Sequence, residues 1–190
     1  MKFVEIITWN DWTESSLISP FRGGVMEDGV YQWADLDHSA LMNVMVPYIR
    51  AYKAGSDSVI VKKEEEGLVY WYRPSLKSAS WVLIPVDACG GLMARCDSTD
   101  TVGSKPSGWE MTEDSIFVAA MTTGPAEVTV TSGSSTVTQQ VGSAGIHTLA
   151  FPMKPGKQSF SMKTSSKSKS AQASLDVHSD CYVSVHAGQR

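Results

Sequence analysis

The chain has 190 residues, of which 42% are hydrophobic and 19% charged, so it is long and apolar enough for a packed domain and is not disordered by composition. It is too short for a complete eight-stranded β/α barrel, which takes at least about 200 residues. The net charge of −4 argues against a nucleic-acid partner. The sequence contains no run of 18 apolar residues, so we expect no membrane span. Residues 1–9 lack a signal-peptide pattern because their short apolar stretch contains Glu5.

The first 55 residues predict one β/α unit. Residues 3–9 read FVEIITW, a nearly continuous β-branched run that is typical of a strand buried on both faces. A polar loop follows. Asp37 is a suitable N-cap for a helix over about 38–53, in which Leu41, Met45, Tyr48 and Tyr52 recur on one face.

From residue 58 onward, short β-type runs alternate with turn residues, which predicts an antiparallel sandwich. The Ser132-Gly133-Ser134 segment predicts a hairpin turn, and Lys154-Pro155-Gly156-Lys157 joins two further strands. The alternating Ser and Lys residues at 165–170 predict a solvated loop. The predicted strands are 58–63, 67–73, 81–86, 115–122, 126–131, 135–141, 145–151, 158–163, 172–177 and 181–186.

Two carboxyl groups, those of Asp11 and Glu14, follow the predicted first strand, at the strand end where α/β sheets and β/α barrels build active sites. Paired carboxyl groups serve glycoside hydrolysis, one protonating the departing oxygen and the other activating water or attacking the sugar. Trp9 and Trp12 flank the pair, and sugars stack on indole rings. The alternative is structural, since Asp after a strand is often a turn or cap residue and a Trp there often packs in the core.

Two other features each leave two interpretations open. The run Tyr70-Trp71-Tyr72-Arg73-Pro74 is either a sugar platform or a strand that packs a domain interface. Cys89 and Cys96 either form a disulfide or, with Cys181, stay unpaired thiols. The sequence contains neither a C-x-x-C motif nor a Cys/His cluster, so we expect no zinc site.

Several ordered motifs resemble one enzyme family. Residues 3–15, FVEIITWNDWTES, are similar to the late barrel-strand motif of glycoside hydrolase family 71, the fungal endo-1,3-α-glucanases or mutanases. Thr13 stands where the family usually has Gly. Further segments resemble the family's later landmarks in the same order, and together they cover nearly the whole chain: 46–53, 69–74, 108–110, 126–133 and 152–156.

The resemblance implies a fold and a domain order. It predicts an α+β fragment, with the last β/α unit or units of a (β/α)8 barrel followed by an antiparallel β-sandwich. Residues 1–57 would then end a truncated catalytic barrel. Residues 58–110 would form a β-rich connecting segment with an insertion at 81–94, and residues 111–190 would form the sandwich.

The resemblance also implies an activity: inverting hydrolysis of the polysaccharide α-1,3-glucan, without metal or organic cofactor. Asp11 and Glu14 would be the general acid and base, in either order, while Trp9, Asn10 and Trp12 would shape the sugar subsites. Full-length members are secreted or act at the cell wall. Because most of the barrel is missing, we expect the isolated chain to be inactive. The alternative is a non-catalytic β-sandwich module that binds glucan or packs against another chain.

Overall fold

The computed structural model of the protein describes residue 3 and residues 5–10, 17–20, 38–79 and 109–179. Within these ranges the secondary structure is mainly β. Short 3₁₀ turns cover Lys63–Glu65 and Trp109–Met111. The longer elements are α1 (Ala40–Lys53), β1 (Gly67–Trp71), β2 (Ser115–Thr122), β3 (Ala126–Ser132), β4 (Ser135–Val141), β5 (Gly145–Pro152), β6 (Gln158–Thr164) and β7 (Ser168–Gln172).

The strands form two antiparallel sheets, with the orders β1-β2-β5 and β4-β3-β6-β7. Their inner faces pack together because alternate residues of each strand point to one face. Val118 and Phe151 of the first sheet share a buried cluster with Val128 and Phe160 of the second. The predicted antiparallel sandwich is therefore confirmed, and with α1 the described chain is an α+β structure that is mostly β.

Helix α1 covers part of the outer face of the first sheet. Leu41 and Val44 of α1 pack against Val69 of β1 and Met121 of β2. The prediction of a helix over 38–53 is confirmed, although the expected cap Asp37 lies outside the described residues and Ser39 occupies the cap position, where its side chain does not cap the helix. The helix ends at Lys53, and Gly55 follows two residues later with a φ of 64°, which suits a residue without Cβ.

The N-terminal prediction is wrong where it can be compared. A buried strand was expected over 3–9, but residue 3 and residues 5–10 form no strand. Phe3 is 79% and Ile7 71% exposed, and a strand requires a neighbouring strand to satisfy its backbone groups. The described residues supply no such neighbour, so they contain no sheet of a barrel.

Three calls in the β-rich part are also wrong, wholly or in part. Residues 58–63 form no strand and lead into the 3₁₀ turn at Lys63–Glu65. The expected solvated loop at 165–170 overlaps β7, which pairs with β6 as an edge strand, where polar and Lys-rich sequence is common. Of the expected strand at 172–177, only Gln172 belongs to β7, and Val177 forms an isolated bridge with Gly156. The predicted strands 81–86 and 181–186 and all three cysteines lie outside the described residues.

The two predicted turns join strands in different ways. Gly133 lies in the hairpin between β3 and β4, in which Ser132 pairs with Ser135, as expected. The 154–157 segment joins β5 to β6, but these strands belong to different sheets, so the connection crosses the sandwich edge. The Gly133 amide donates to the Lys157 carbonyl oxygen at 2.9 Å and fastens the hairpin to this crossing. Strand β1, from the segment expected to connect two domains, pairs with β2 of the sandwich.

Candidate functional site

The loop that carries the predicted acidic pair is closed at its base by two backbone hydrogen bonds. The amide of Ile18 donates to the carbonyl oxygen of Thr8 at 3.1 Å, and the amide of Ser19 donates to that of Trp9 at 3.0 Å. Leu17 is buried just inside this base. Asp11, Trp12 and Glu14 lie outside the described residues, so their roles stay predictions.

Trp9, a predicted sugar contact, lies beside α1. It is 55% exposed and helps to line an apolar cavity of about 220 Å³. Asn10 is exposed. All the lining side chains except Trp9 are aliphatic or thioether groups, so the indole borders an apolar space. The remaining lining residues are Ile6, Ile18, Met42, Met45, Val46 and Ile49.

His38 ties the loop to the start of α1. Its Nδ1 lies 3.1 Å from the carbonyl oxygen of Leu17. A carbonyl oxygen only accepts hydrogen bonds, so this contact requires the proton on Nδ1. His38 therefore serves to hold the loop.

An ion pair fastens the other end of α1. The two terminal nitrogens of Arg50, Nη1 and Nη2, donate to the carboxylate of Glu65 at 2.5 and 2.8 Å. Nη2 also donates to the Ile60 carbonyl oxygen at 2.6 Å. The hydrogen bond from Arg50 is the main reason that the pKa of Glu65 is lowered to about 2. The same bond is the main reason that the pKa of Arg50 is raised above its ordinary value. This arrangement is structural, since it satisfies both groups.

Glu66 joins the start of β1 to the β2–β3 turn. Glu66 is 2% exposed, and its Oε1 accepts hydrogen bonds from the Thr123 amide at 3.0 Å and from the Thr123 hydroxyl. The bond from that hydroxyl is the main cause of the lowered pKa of Glu66. Its Oε2 has no hydrogen-bond partner in the part of the chain described here. Glu66 lines a cavity of about 390 Å³ whose lining includes Asn43 and Lys169.

The aromatic run at 70–72 divides between the two faces of the first sheet. Tyr70 stacks on Phe160 in the sandwich core with ring centroids 3.8 Å apart, and Tyr72 donates to the Leu175 carbonyl oxygen. Burial is the main cause of the raised pKa of each tyrosine. Trp71 points the opposite way, is 41% exposed, and stacks on Phe117. The period-two alternation of a strand was the signal that separates Trp71 from its neighbours.

Neither a metal cluster nor a spanning helix occurs among the residues with described positions. Within them, no group of three or more His, Cys, Asp or Glu side chains is placed to hold a metal ion. Likewise, α1 is too short and too polar to cross a membrane.

Comparison with known proteins gives one family and two relatives. The family model described as glycosyl hydrolase family 71 matches residues 1–187. A mutanase of Penicillium rubens is 38% identical over 180 residues, which cover 94% of this chain and 36% of the mutanase. A glucan endo-1,3-alpha-glucosidase of Schizosaccharomyces pombe is 37% identical over 150 residues, covering 79% of this chain and 31% of that enzyme. The chain thus spans about a third of the length of each relative.

Proposed function

Since the chain belongs to glycosyl hydrolase family 71, we propose that it is part of an enzyme that hydrolyses α-1,3-glucan, the polysaccharide in the names of its relatives' activities. The observation that carries this proposal is the family match over residues 1–187, together with the names of the two relatives, a mutanase and a glucan endo-1,3-alpha-glucosidase. Extracellular or cell-wall action follows from such a substrate, because glucan of this kind is a wall polymer.

We assign the chemistry to Asp11 and Glu14. Both belong to the loop whose base is closed by the Thr8–Ile18 and Trp9–Ser19 hydrogen bonds, which limits how far the loop can spread. One carboxyl group would protonate the departing glycosidic oxygen while the other removes a proton from the attacking water. Inversion requires the two groups about 6.5–9.5 Å apart, with water between one carboxylate and the sugar. Either residue can take either role.

The sugar subsites next to the acidic pair would be formed by Trp9, Asn10 and Trp12. The exposure of Trp9 supports this assignment, since an accessible aromatic ring can stack on a pyranose ring. Asn10 is exposed and its amide can both donate to and accept from sugar hydroxyls.

For the domain organisation, we propose that residues 1–57 form the end of a β/α barrel and that residues 111–190 form most of the sandwich. Residues 58–110 would connect the two and include an insertion at 81–94. The exposure of Phe3 and Ile7 supports the barrel assignment of residues 1–57, because large apolar side chains that are this exposed require a covering partner. A cleft built by a whole barrel positions the sugar, and a misplacement of about 1 Å costs about 10²-fold in rate. The isolated chain should therefore be inactive.

The test is a chimera in which the part of the Penicillium rubens mutanase that precedes the matched region is fused to this chain. Reducing-sugar release from insoluble α-1,3-glucan measures activity. We expect an active chimera, and a loss of at least about 10²-fold in kcat for Asp11→Asn and for Glu14→Gln. Glu64→Gln is the matched control, because the Glu64 side chain is 72% exposed in the 3₁₀ turn.

Two measurements assign the roles and the stereochemistry. The α-fluoride of an α-1,3-linked glucose oligosaccharide needs little protonation of its leaving group. The variant of the general acid should therefore retain activity on this substrate, whereas the variant of the base should not. NMR of the first-formed product should show the inverted anomer. Full activity of either carboxyl variant on glucan would remove that residue from the mechanism, and hydrolysis by the isolated chain would contradict the need for a barrel.

A further inference from the structure

The outer face of the first sheet has two unlike ends. Strand residues of one parity form this face, and helix α1 packs on the end that contains Val69, Ala119 and Met121. At the other end, cross-strand pairing puts Trp71 of β1 opposite Phe117 of β2, and Phe117 opposite Ala150 of β5. These three residues form a row across the sheet that the described part of α1 leaves open. We call this row the aromatic platform.

The aromatic platform is partly open to solvent. The rings of Trp71 and Phe117 lie nearly parallel, with an interplanar angle of 17° and centroids 5.9 Å apart. Trp71 is 41% exposed, and β1 is the edge strand of its sheet, so Phe117 covers the indole from one side only. The neighbouring Ala150 is exposed and adds no bulk that would obstruct a ligand.

We propose that the aromatic platform binds a glucan chain outside the catalytic site, with a pyranose ring stacked on Trp71. The choice of glucan as ligand rests on the proposed function. The face of an aromatic ring carries partial negative charge, and the axial C–H groups of a pyranose carry partial positive charge, so the two surfaces are complementary. Ser115 and the exposed Thr148 share the platform's face of the sheet and offer hydroxyl groups for the rim of a sugar.

A sugar fits the aromatic platform better than a second protein domain does. More of the exposed apolar side chains lie on α1, which exposes Val46, Tyr48, Ile49 and Tyr52. A mixed group of aliphatic and phenolic side chains such as this is typical of a protein contact, whereas the platform is a narrow aromatic row flanked by hydroxyl groups. A site of this kind would keep an enzyme on an insoluble polymer between cleavage events, which raises the effective concentration of substrate.

The test is a depletion assay with the full chain, residues 1–190, and insoluble α-1,3-glucan particles. We expect Trp71→Ala to weaken binding by about tenfold, the scale of one lost aromatic contact. Trp71→Tyr should retain most of the affinity, because it keeps an aromatic face. The matched control is Tyr48→Ala, since Tyr48 is an aromatic of 45% exposure on α1. Thermal melting by circular dichroism checks that each variant is folded.

Three results of the depletion assay would overturn the proposal. The first is failure of the wild-type chain to bind α-1,3-glucan. The second is an affinity of Trp71→Ala for this glucan within about twofold of wild type, and the third is the same loss of affinity in Trp71→Ala and Tyr48→Ala. Unchanged glucan binding with a lower melting temperature of the Trp71→Ala chimera would show that the platform docks protein instead. Trp71-dependent binding in an inactive chimera would support the platform and reject the proposed function. Trp71-dependent binding to cellulose but not to α-1,3-glucan would overturn the ligand assignment.

Discussion

Arg50 and Glu65 form a two-pronged ion pair that joins the last turn of α1 to the 3₁₀ turn before β1. Glu65 also accepts a hydrogen bond from the Lys62 amide at 2.8 Å, so one carboxylate organises both the turn and the helix. The chain leaves α1 and enters the sandwich here. The pair therefore ties the end of the helix to the segment that enters the first sheet.

This pair predicts a pH-dependent stability. The pKa of Glu65 is about 2 in the folded protein against an ordinary value of 4.5, so its contribution is present above about pH 4.5 and is lost as the pH falls through about 2. Glu65→Gln should lower the melting temperature at pH 6 by no more than about 4 °C, because the pair is partly exposed and screened. The difference from wild type should shrink at pH 2–3. A difference that is constant from pH 6 to pH 2 would contradict the charge-based explanation, and Glu64→Gln is the control.

A second prediction concerns Gly133. A Cβ there would lie 2.0 Å from the Pro155 carbonyl oxygen, and the φ of 55° is already unfavourable for other residues. Gly133→Ala should therefore reduce the free energy of unfolding by at least about 2 kcal/mol, measured by chemical denaturation. Gly124→Ala, with nothing within 4 Å of the new Cβ, should change it by no more than about 0.5 kcal/mol. Equal effects of the two substitutions would refute the close approach of the hairpin to the 154–157 crossing.

The contact between Glu66 and Thr123 predicts a third effect. Thr123→Val removes the hydroxyl donor from a buried carboxylate, so it should cost about 1–3 kcal/mol of stability and raise the pKa of Glu66, which NMR titration of the carboxyl carbon would detect. Thr136→Val is the control, since its hydroxyl bonds to Thr131 on the exposed face of the second sheet. A pKa of Glu66 that Thr123→Val leaves unchanged would remove Thr123 as its cause.

Helix α1 should be needed for solubility of the sandwich. A fragment of residues 56–190 uncovers Val69, Ala119 and Met121, which α1 covers in the whole chain, and an exposed apolar face promotes association. We expect it to bind a hydrophobic dye more strongly and to aggregate at lower concentration than a fragment of residues 38–190, as measured by fluorescence and light scattering. Equal behaviour of the two fragments would contradict the role of α1 as a cover.

The sequence predicted those elements whose local signals agree with their environment. Helix α1 has a clear apolar face and a Gly after its last turn, and the β3–β4 hairpin has a Gly in its two-residue turn. Residues 3–9 have the composition of a buried strand, but composition describes an environment, and the described residues provide no strand beside them. For β7 the reverse holds, because its Ser and Lys residues resemble a loop while pairing with β6 makes them an edge strand.

Which strands share a sheet could not be predicted from the turns. The segment 154–157 has turn chemistry, yet β5 and β6 enter different sheets, because turn residues determine local chain reversal and not the pairing partner. For the site, the sequence singled out Asp11 and Glu14 from their place after an apolar run, and they stay predictions. The run at 70–72 was recognised as aromatic, but only strand pairing shows that Trp71 lies on the outer face and is the exposed member of the run, while Tyr70 and Tyr72 are partly buried.

Strands β1 and β2 are direct neighbours in the sheet, although residues 72–114 separate them in the chain. The entropy lost in closing such a link grows with the logarithm of its length, by about 0.6 kcal/mol for each doubling. The link can therefore gain or lose segments while the five residues of β1 keep the same partners on β2. The insertion predicted at 81–94 falls within this link, so evolution can vary the chain there at little cost to the sandwich.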